Sequence, residues 1–500
     1  MSCLSFGYLG VNKDMNIEEA KAYLYGEGRV NGGKANHKVL RDILEVLGNP
    51  DKNCKKIHIV GTNGKGSVAA YSAYILAAAG YRVAQYSSPD VYRFGERMRI
   101  LDGRNNNRDW SIDPKVGEIS DEDLCKYLNR IRYVLENMEI AEELHPNYFD
   151  FLILVAFLYF AENDCDIWII EAGIGARLDA TNVIDSPEVA VVTAIGKDHV
   201  DKLGDTLEKI AIEKSYLLKE GTKALCMYDQ SEVISDKDEA LKVMNVFEKK
   251  AASFGIPVVQ LDLDNIEIIS RNLEGQKFNF IDKRLDINLE LETKLLPDFE
   301  PLNAALAISA CKTLEPDLMN TEIAYGVSTC FWPARLEKIS DDPIILIDGA
   351  HNPQGARALR SSLDRLLQAG DEEIHIFTSM RDKDQYNCLR EIFKSSKVSA
   401  LICSTLEGYD RALESDKLFN IASEVVAESF ADEENRPIIY NSNNIETAVK
   451  IAFDLYRDKL NLVKARNNRV VIVNWGSFYT AKSFKQACEI ELDNIKKLGK

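Results

Sequence analysis

Five hundred residues, 46% hydrophobic and 28% charged, exceed what one hydrophobic core holds, so at least two domains are expected. The formal net charge of −18 argues against nucleic acid as a partner, because neutralising phosphates takes clustered Lys and Arg; an anionic small molecule in a locally cationic pocket remains open. Ten cysteines from Cys3 to Cys488 form no CxxC pair and no metal-type spacing, which reads as reduced thiols in a cytoplasmic protein.

In chain order, Met1–Tyr8 lacks a basic segment followed by an apolar one, so no signal peptide is expected. Ile57–Val60 reads as a strand, Ser67–Ala79 as a buried helix stopped by Gly80, and Arg82–Tyr86 as the next strand. Tyr148–Ala161 is the most apolar run, interrupted by Asp150 and short of the roughly 20 residues that cross a bilayer; it reads as a buried helix, and no membrane association is expected. Strands follow at Ile167–Ile170 and Val189–Thr193. Residues 221–298 hold a charged helix and alternating β-like stretches such as Phe278–Ile281, expected at the periphery of a first domain. The stretch from Glu315 to Pro333 is expected to connect the domains, with the linker proper at 319–333. A second α/β block begins near Ile344–Asp348 and continues through strands at Ile374–Thr378, Ala400–Cys403 and Val470–Asn474. Strands and helices in alternation imply mainly parallel sheets with ligands at the carboxyl ends of their strands.

Three of those strand ends carry phosphate or metal chemistry. Gly61-Thr62-Asn63-Gly64-Lys65-Gly66-Ser67 lies between a strand and a helix, where glycines let the backbone wrap phosphates and the helix-start N–H groups face the anion. Lys65 adds a mobile positive charge, and Ser67 offers a hydroxyl to phosphate or magnesium. The usual P-loop has Ser or Thr directly after Lys; here Gly66 intervenes. Glu171 follows the second of these strands, where a hard cation held by a nucleotide would meet carboxylate oxygen. His199 ends Gly196-Lys197-Asp198-His199 after the third. Taken singly, each of these two is better explained by a solvated turn or a structural histidine; the convergence of three is the argument.

These residues bring the chain to a known family. It resembles the folylpolyglutamate synthase and dihydrofolate synthase branch of the Mur ligases over most of its length. The resemblance rests on Leu47-Gly48-Asn49-Pro50, the loop at 61–67, Ser87-Ser88-Pro89, Phe94-Gly95-Glu96-Arg97, the run Gly173–Asn182, the Gly196–His199 motif, Leu203–Leu207 and Glu213-Lys214. It continues with Pro333–Glu337, Asp348–Pro353 and Asp382-Lys383-Asp384. The resemblance implies a P-loop-type, mainly parallel ATPase domain over residues 1–318 and a smaller Rossmann-like α/β domain over 334–500. It implies that Gly61–Ser67, Asn303, Arg335, Asp348 and His351 hold ATP, and that Ser67, Ser88, Glu171 and His199 ligate magnesium, with two ions expected. Lys214 matches a lysine carbamylated in this superfamily to support the second ion. Lys65, Lys214 and His351 would be the catalytic residues, His351 steadying a phosphate or shuttling a proton.

The implied reaction adds L-glutamate to a folate or dihydropteroate carboxylate through an acyl phosphate, giving ADP and phosphate, in a cytoplasmic monomer. Departures fall on the substrate side: Asp90 stands where the family commonly has His, Asp150 and Ile153 where it has Glu and Thr, and Pro297–Glu300 replaces a Gly-Arg-His-Gln type run. Ala176 replaces a glycine, and Ser215-Tyr216 follows Lys214 in place of Ala-Gly. Two alternatives keep the phosphate residues: a Mur-type amide ligase acting on a non-pterin carboxylate, and a nucleotide-binding protein without catalysis. For Lys214 the plain alternative is a surface lysine paired with Glu213.

Overall fold

The structure, a computed structural model, describes residues 14–26, 36–105, 107–465 and 468–498; Met1–Tyr8 and Cys3 lie outside the described residues. The short apolar runs form β1 (Lys55–Val60), β2 (Arg82–Tyr86), β3 (Met98–Asp102), β4 (Ile167–Glu171), β5 (Val189–Val192), β6 (Ala224–Tyr228) and β7 (Val258–Leu261). They make one sheet in the order β3-β2-β4-β1-β5-β6-β7, parallel apart from the antiparallel β2–β3 pair. Ile57, Ile59 and Val60 of the central β1 are wholly buried, as a strand covered on both faces requires.

The helix Lys65–Ala78 leaves β1 through the glycine-rich loop and is buried from Gly66 to its end. Against it pack the helices Glu300–Leu314 and Asn320–Thr329. The latter crosses so closely at Gly326 that a Cβ there would lie 2.5 Å from the Ile75 Cα. The segment 319–333, expected as a linker, therefore contains a packed helix. On the other side of the sheet the apolar helix Tyr148–Glu162 starts at Asn147, whose side chain accepts from the Asp150 N–H while the Asp150 carboxylate accepts from the Asn147 N–H. Asp150, one of the departures, is thus half of a reciprocal cap.

An antiparallel sheet of β8 (Ile266–Asn272), β9 (Gly275–Asp282) and β10 (Ile287–Thr293) follows, in the order β10-β9-β8. Its Phe278, Phe280, Ile287 and Leu291 share the core of the helix Lys65–Ala78, and the Tyr71 and Thr293 hydroxyls meet at 2.7 Å.

The second block contains β11 (Glu337–Asp341), β12 (Ile344–Ile347), β13 (Glu372–Phe377), β14 (Val398–Ser404), β15 (Ile438–Ser442) and β16 (Val470–Trp475). They form a sheet ordered β11-β12-β16-β13-β14-β15, parallel except for the β11–β12 pair. The helix Pro353–Leu366 is fastened to it by the buried Arg360, which donates to both Glu373 oxygens at 2.6 and 2.7 Å. Asp298 links the two halves: its carboxylate accepts from Ser361 at 2.7 Å and pairs with Arg365 at 3.1 Å, and its N–H donates to Ser362 at 2.9 Å. Among the described residues no helix is long and apolar enough to cross a membrane.

Candidate active site

Residues that follow the strands of both large sheets line one cavity of about 1850 Å³ between the two halves. On the first wall, Gly64 starts the central helix with φ 86°, and a Cβ there would lie 2.8 Å from the Asn303 Oδ1. The position demands glycine on both counts. Gly66 needs its glycine for a different reason: a Cβ would meet the Trp332 indole at 2.6 Å. Lys65 Nζ lies 4.0 Å from the Glu171 carboxylate and 3.3 Å from the Thr62 carbonyl. Glu171 is buried at the end of β4, and the Ser88 N–H donates to it at 3.4 Å. Burial pushes its carboxyl above the usual range, against the opposing charges of Lys65 and Arg335. His199 sits in a left-handed turn with φ 49° and lines the same cavity. Burial, only partly offset by Asp198, lowers its pKa to about 4 and leaves the imidazole neutral.

Two groups sit beneath the loop. Lys214 is buried and donates to the Gly61 carbonyl at 2.7 Å, while Glu213 pairs with Arg177 at 2.9 Å; the surface pairing of Lys214 with Glu213 does not occur. Burial, then the charge of Lys65, brings the Lys214 amine down to about 7. Glu300, fully buried, accepts from the Ser67 hydroxyl at 2.9 Å, and its second oxygen has no hydrogen-bond partner among the described residues. Burial pushes its carboxyl up to about 7, with Arg335 pulling the other way. The hydroxyl of Ser67 thus already has an acceptor, one supplied by the departure at Pro297–Glu300.

The second wall brings Arg335, Asp348 and His351. Asp348 accepts from the Leu336 N–H at 2.9 Å and the Ala350 N–H at 2.8 Å, which locks the turn after β12. The Arg335 guanidinium lies over the Phe478 ring at 4.8 Å. His351 Nδ1 meets the Gly349 carbonyl at 2.8 Å, and its Nε2 meets Asp198 of the first wall at 3.2 Å. Asn63 of the loop reaches Gln354 at 2.7 Å and Asn352 at 3.3 Å, so the two walls touch at the loop itself.

Every sequence-predicted site residue except Ser67 lines this cavity, and Ser67 is turned away from it onto Glu300. Sequence reasoning gave no role to Asp198, Lys383, Gln354 or Glu300, although the first two stand inside quoted motifs. Arg97, nearly buried, is held by Asp90 at 2.6 Å in a lobe lined by Tyr25, Tyr148, Tyr409 and Tyr479. An Asp seven residues before an Arg was the available signal for that pair.

Two α/β sheets facing each other across a glycine-rich loop suit a ligase of the Mur type, and the family models carry that class: the Mur ligase middle domain matches residues 124–311 and the Mur ligase, glutamate ligase domain residues 334–466. The folylpolyglutamate synthase of Lacticaseibacillus casei is 33% identical over 359 residues, covering 71% of this chain and 78% of that protein. The dihydrofolate synthase/folylpolyglutamate synthase of Bacillus subtilis (strain 168) is 30% identical over 381 residues, 75% of this chain and 82% of its own. The structure of Mycobacterium tuberculosis folylpolyglutamate synthase complexed with ADP superposes with a TM-score of 0.79 at 25% identity, covering 94% of this chain and 97% of that one. The chain belongs to the folylpolyglutamate synthase/dihydrofolate synthase family.

Proposed function

We propose that the protein joins L-glutamate to a folate-type carboxylate, either a reduced folate or dihydropteroate, at the expense of ATP. The observation that carries this is the single cavity in which the loop Gly61–Ser67 faces Arg335, Asp348 and His351 across Glu171 and His199. A carboxylate oxygen of the acceptor attacks the γ-phosphorus of ATP and ADP leaves, giving an acyl phosphate. The amine of glutamate then attacks the acyl carbon, loses a proton, and phosphate departs. Lys65 and Arg335 offset the negative charge of the phosphoryl group, the first from the loop and the second from the opposite wall. Contact between the walls at Asn63 and Gln354 keeps water from the acyl phosphate. His351 steadies a phosphate oxygen or carries the proton.

Ser88, Glu171 and His199 suit magnesium: a hydroxyl, a carboxylate and a neutral imidazole at adjoining strand ends, short of a full set as is usual where nucleotide oxygens and water complete the shell. When bound, the ion supplies charge neutralisation at the phosphates. Ser67 joins that set only by giving up its bond to Glu300. A buried amine at Lys214, part-neutral near pH 7, suits carbamylation, in which its nitrogen adds to carbon dioxide and releases a proton; the resulting anion would support a second ion. The nine described cysteines are free, in keeping with a reducing cytoplasm, and the net charge of −18 weighs against nucleic acid as a partner.

Phosphate release with magnesium and glutamate, run beside dihydropteroate, tetrahydrofolate and non-pterin carboxylates, tests the reading. A folate-type acceptor is expected to stimulate release, and Lys65→Ala to abolish it without loss of fold. Stimulation by a non-pterin acid alone would move the protein to the other Mur-type reading.

A further inference from the structure

Asp198 has no part in the chemistry set out above, yet side chains from both walls converge on it. Its Oδ1 accepts from Lys383 Nζ at 2.6 Å and from the His199 N–H at 2.9 Å. Its Oδ2 meets His351 Nε2 at 3.2 Å and Asn352 Nδ2 at 3.4 Å. The carboxylate and Lys383 are 12% and 9% exposed, so the pair is shielded from solvent and keeps more of its attraction than a surface pair does. Asp198 belongs to the loop after β5 on the first wall, while Lys383, His351 and Asn352 belong to the loops after β13 and β12 on the second.

We propose that Asp198 is a positioning residue that latches the second wall onto the first through Lys383 and, with the same carboxylate, fixes the ring of His351 at the cavity. Three observations bear on this. The Asp198–Lys383 contact is a short, charge-assisted bond across the interface. The Gly349 carbonyl meets Nδ1 of His351 and Asp198 meets its Nε2, so both ring nitrogens are engaged. Asn352 touches both Asp198 and Asn63 of the phosphate loop, so the latch is continuous with the loop. The inference deepens the functional reading, since it depends on His351 acting at the phosphates.

The test uses the full-length protein with Lys383→Met, Lys383→Arg, Asp198→Asn and the double variant Asp198→Asn/Lys383→Met. Lys383→Met is expected to lower kcat about tenfold and raise KM for ATP, with Lys383→Arg restoring most of both. Asp198→Asn, which also frees His351, is expected to lower kcat on the order of 10²-fold, and the double variant to be no worse. Wild-type rates in Lys383→Met, or losses that multiply in the double variant, overturn the latch. If Asp198→Asn fails to fold, the Met and Arg variants of Lys383 still decide. A readout apart from activity is acetylation of the Lys383 amine, followed by mass spectrometry: protected in the wild type, labelled in Asp198→Asn. Should the wild type join glutamate to no acceptor, the functional reading fails by itself, and equal labelling of Lys383 in both proteins then overturns the latch.

Discussion

Lys214 occupies a place where an ammonium ion is poorly solvated, with one carbonyl as its partner and the cation of Lys65 nearby. An uncharged amine or an anionic derivative fits such a place better than a permanent cation. Lys214→Ala is expected to lose activity about 10²- to 10³-fold, and acetate to restore part of it by supplying the missing carboxylate. Full activity of the alanine variant in carbon-dioxide-depleted buffer would remove the carbamate. Glu171 and His199 act at the same scale. Gln keeps the shape of the buried Glu171 and the His199 side chain is 27% exposed, so Glu171→Gln and His199→Ala are expected to raise the magnesium needed for half-maximal rate about tenfold or more. Superimposable magnesium titrations in both variants and wild type would take them out of the metal site.

At the scale of elements, the loop Gly61–Ser67 is held in shape by chain that lies far away in sequence. Gly66 lies under the Trp332 indole, and Gly64 under the Asn303 amide. Gly66→Ala is expected to push Trp332 aside at about 1–3 kcal/mol of stability and to weaken ATP binding, while Gly66→Ala with Trp332→Ala regains the binding. Calorimetric titration with ADP and thermal unfolding check both; unaltered ADP affinity in Gly66→Ala would show that the indole does not shape the loop. The inserted glycine could be read in the sequence as a signature, but the tryptophan that requires it could not, because no local pattern joins residues 66 and 332. The strand–loop–helix setting was legible because apolar runs and glycines report local geometry. The helix Asn320–Thr329 was not, since Gly326 and its threonines lower helix propensity; the close crossing over Ile75 supplies what propensity lacks.

For the whole molecule, stability carries the mark of the buried groups at the cleft. Glu300 keeps its proton to about pH 7 in the folded chain, whereas the unfolded chain releases it near 4.5. The folded state binds more protons between those values, so this contribution is full below about pH 4.5 and fades as pH rises through about 7. Glu300→Gln can still accept from Ser67 and never ionises. Its stability relative to wild type is expected to grow by about 3 kcal/mol between pH 4.5 and 8, read from denaturant unfolding at each pH. A difference that does not change with pH would show Glu300 to be ionised throughout. The contact of Glu300 with Ser67 spans 233 residues, which is why the sequence shows that run only as a departure from family pattern. Lys214 was identifiable only through family resemblance, as nothing in its own helix announces a buried amine.

Asp298, tied to Ser361, Ser362 and Arg365, meets the helix Pro353–Leu366 further along its length than Gln354, which makes the contact with Asn63. If the cleft parts at the loop, that joint still holds one edge of the second half against the first. Re-engagement then becomes an event within one molecule, at a high effective concentration fixed by the joint and independent of how dilute the protein is. A bound nucleotide need contribute only the small remainder that favours the shut arrangement, and its binding energy stays available for the reacting phosphate.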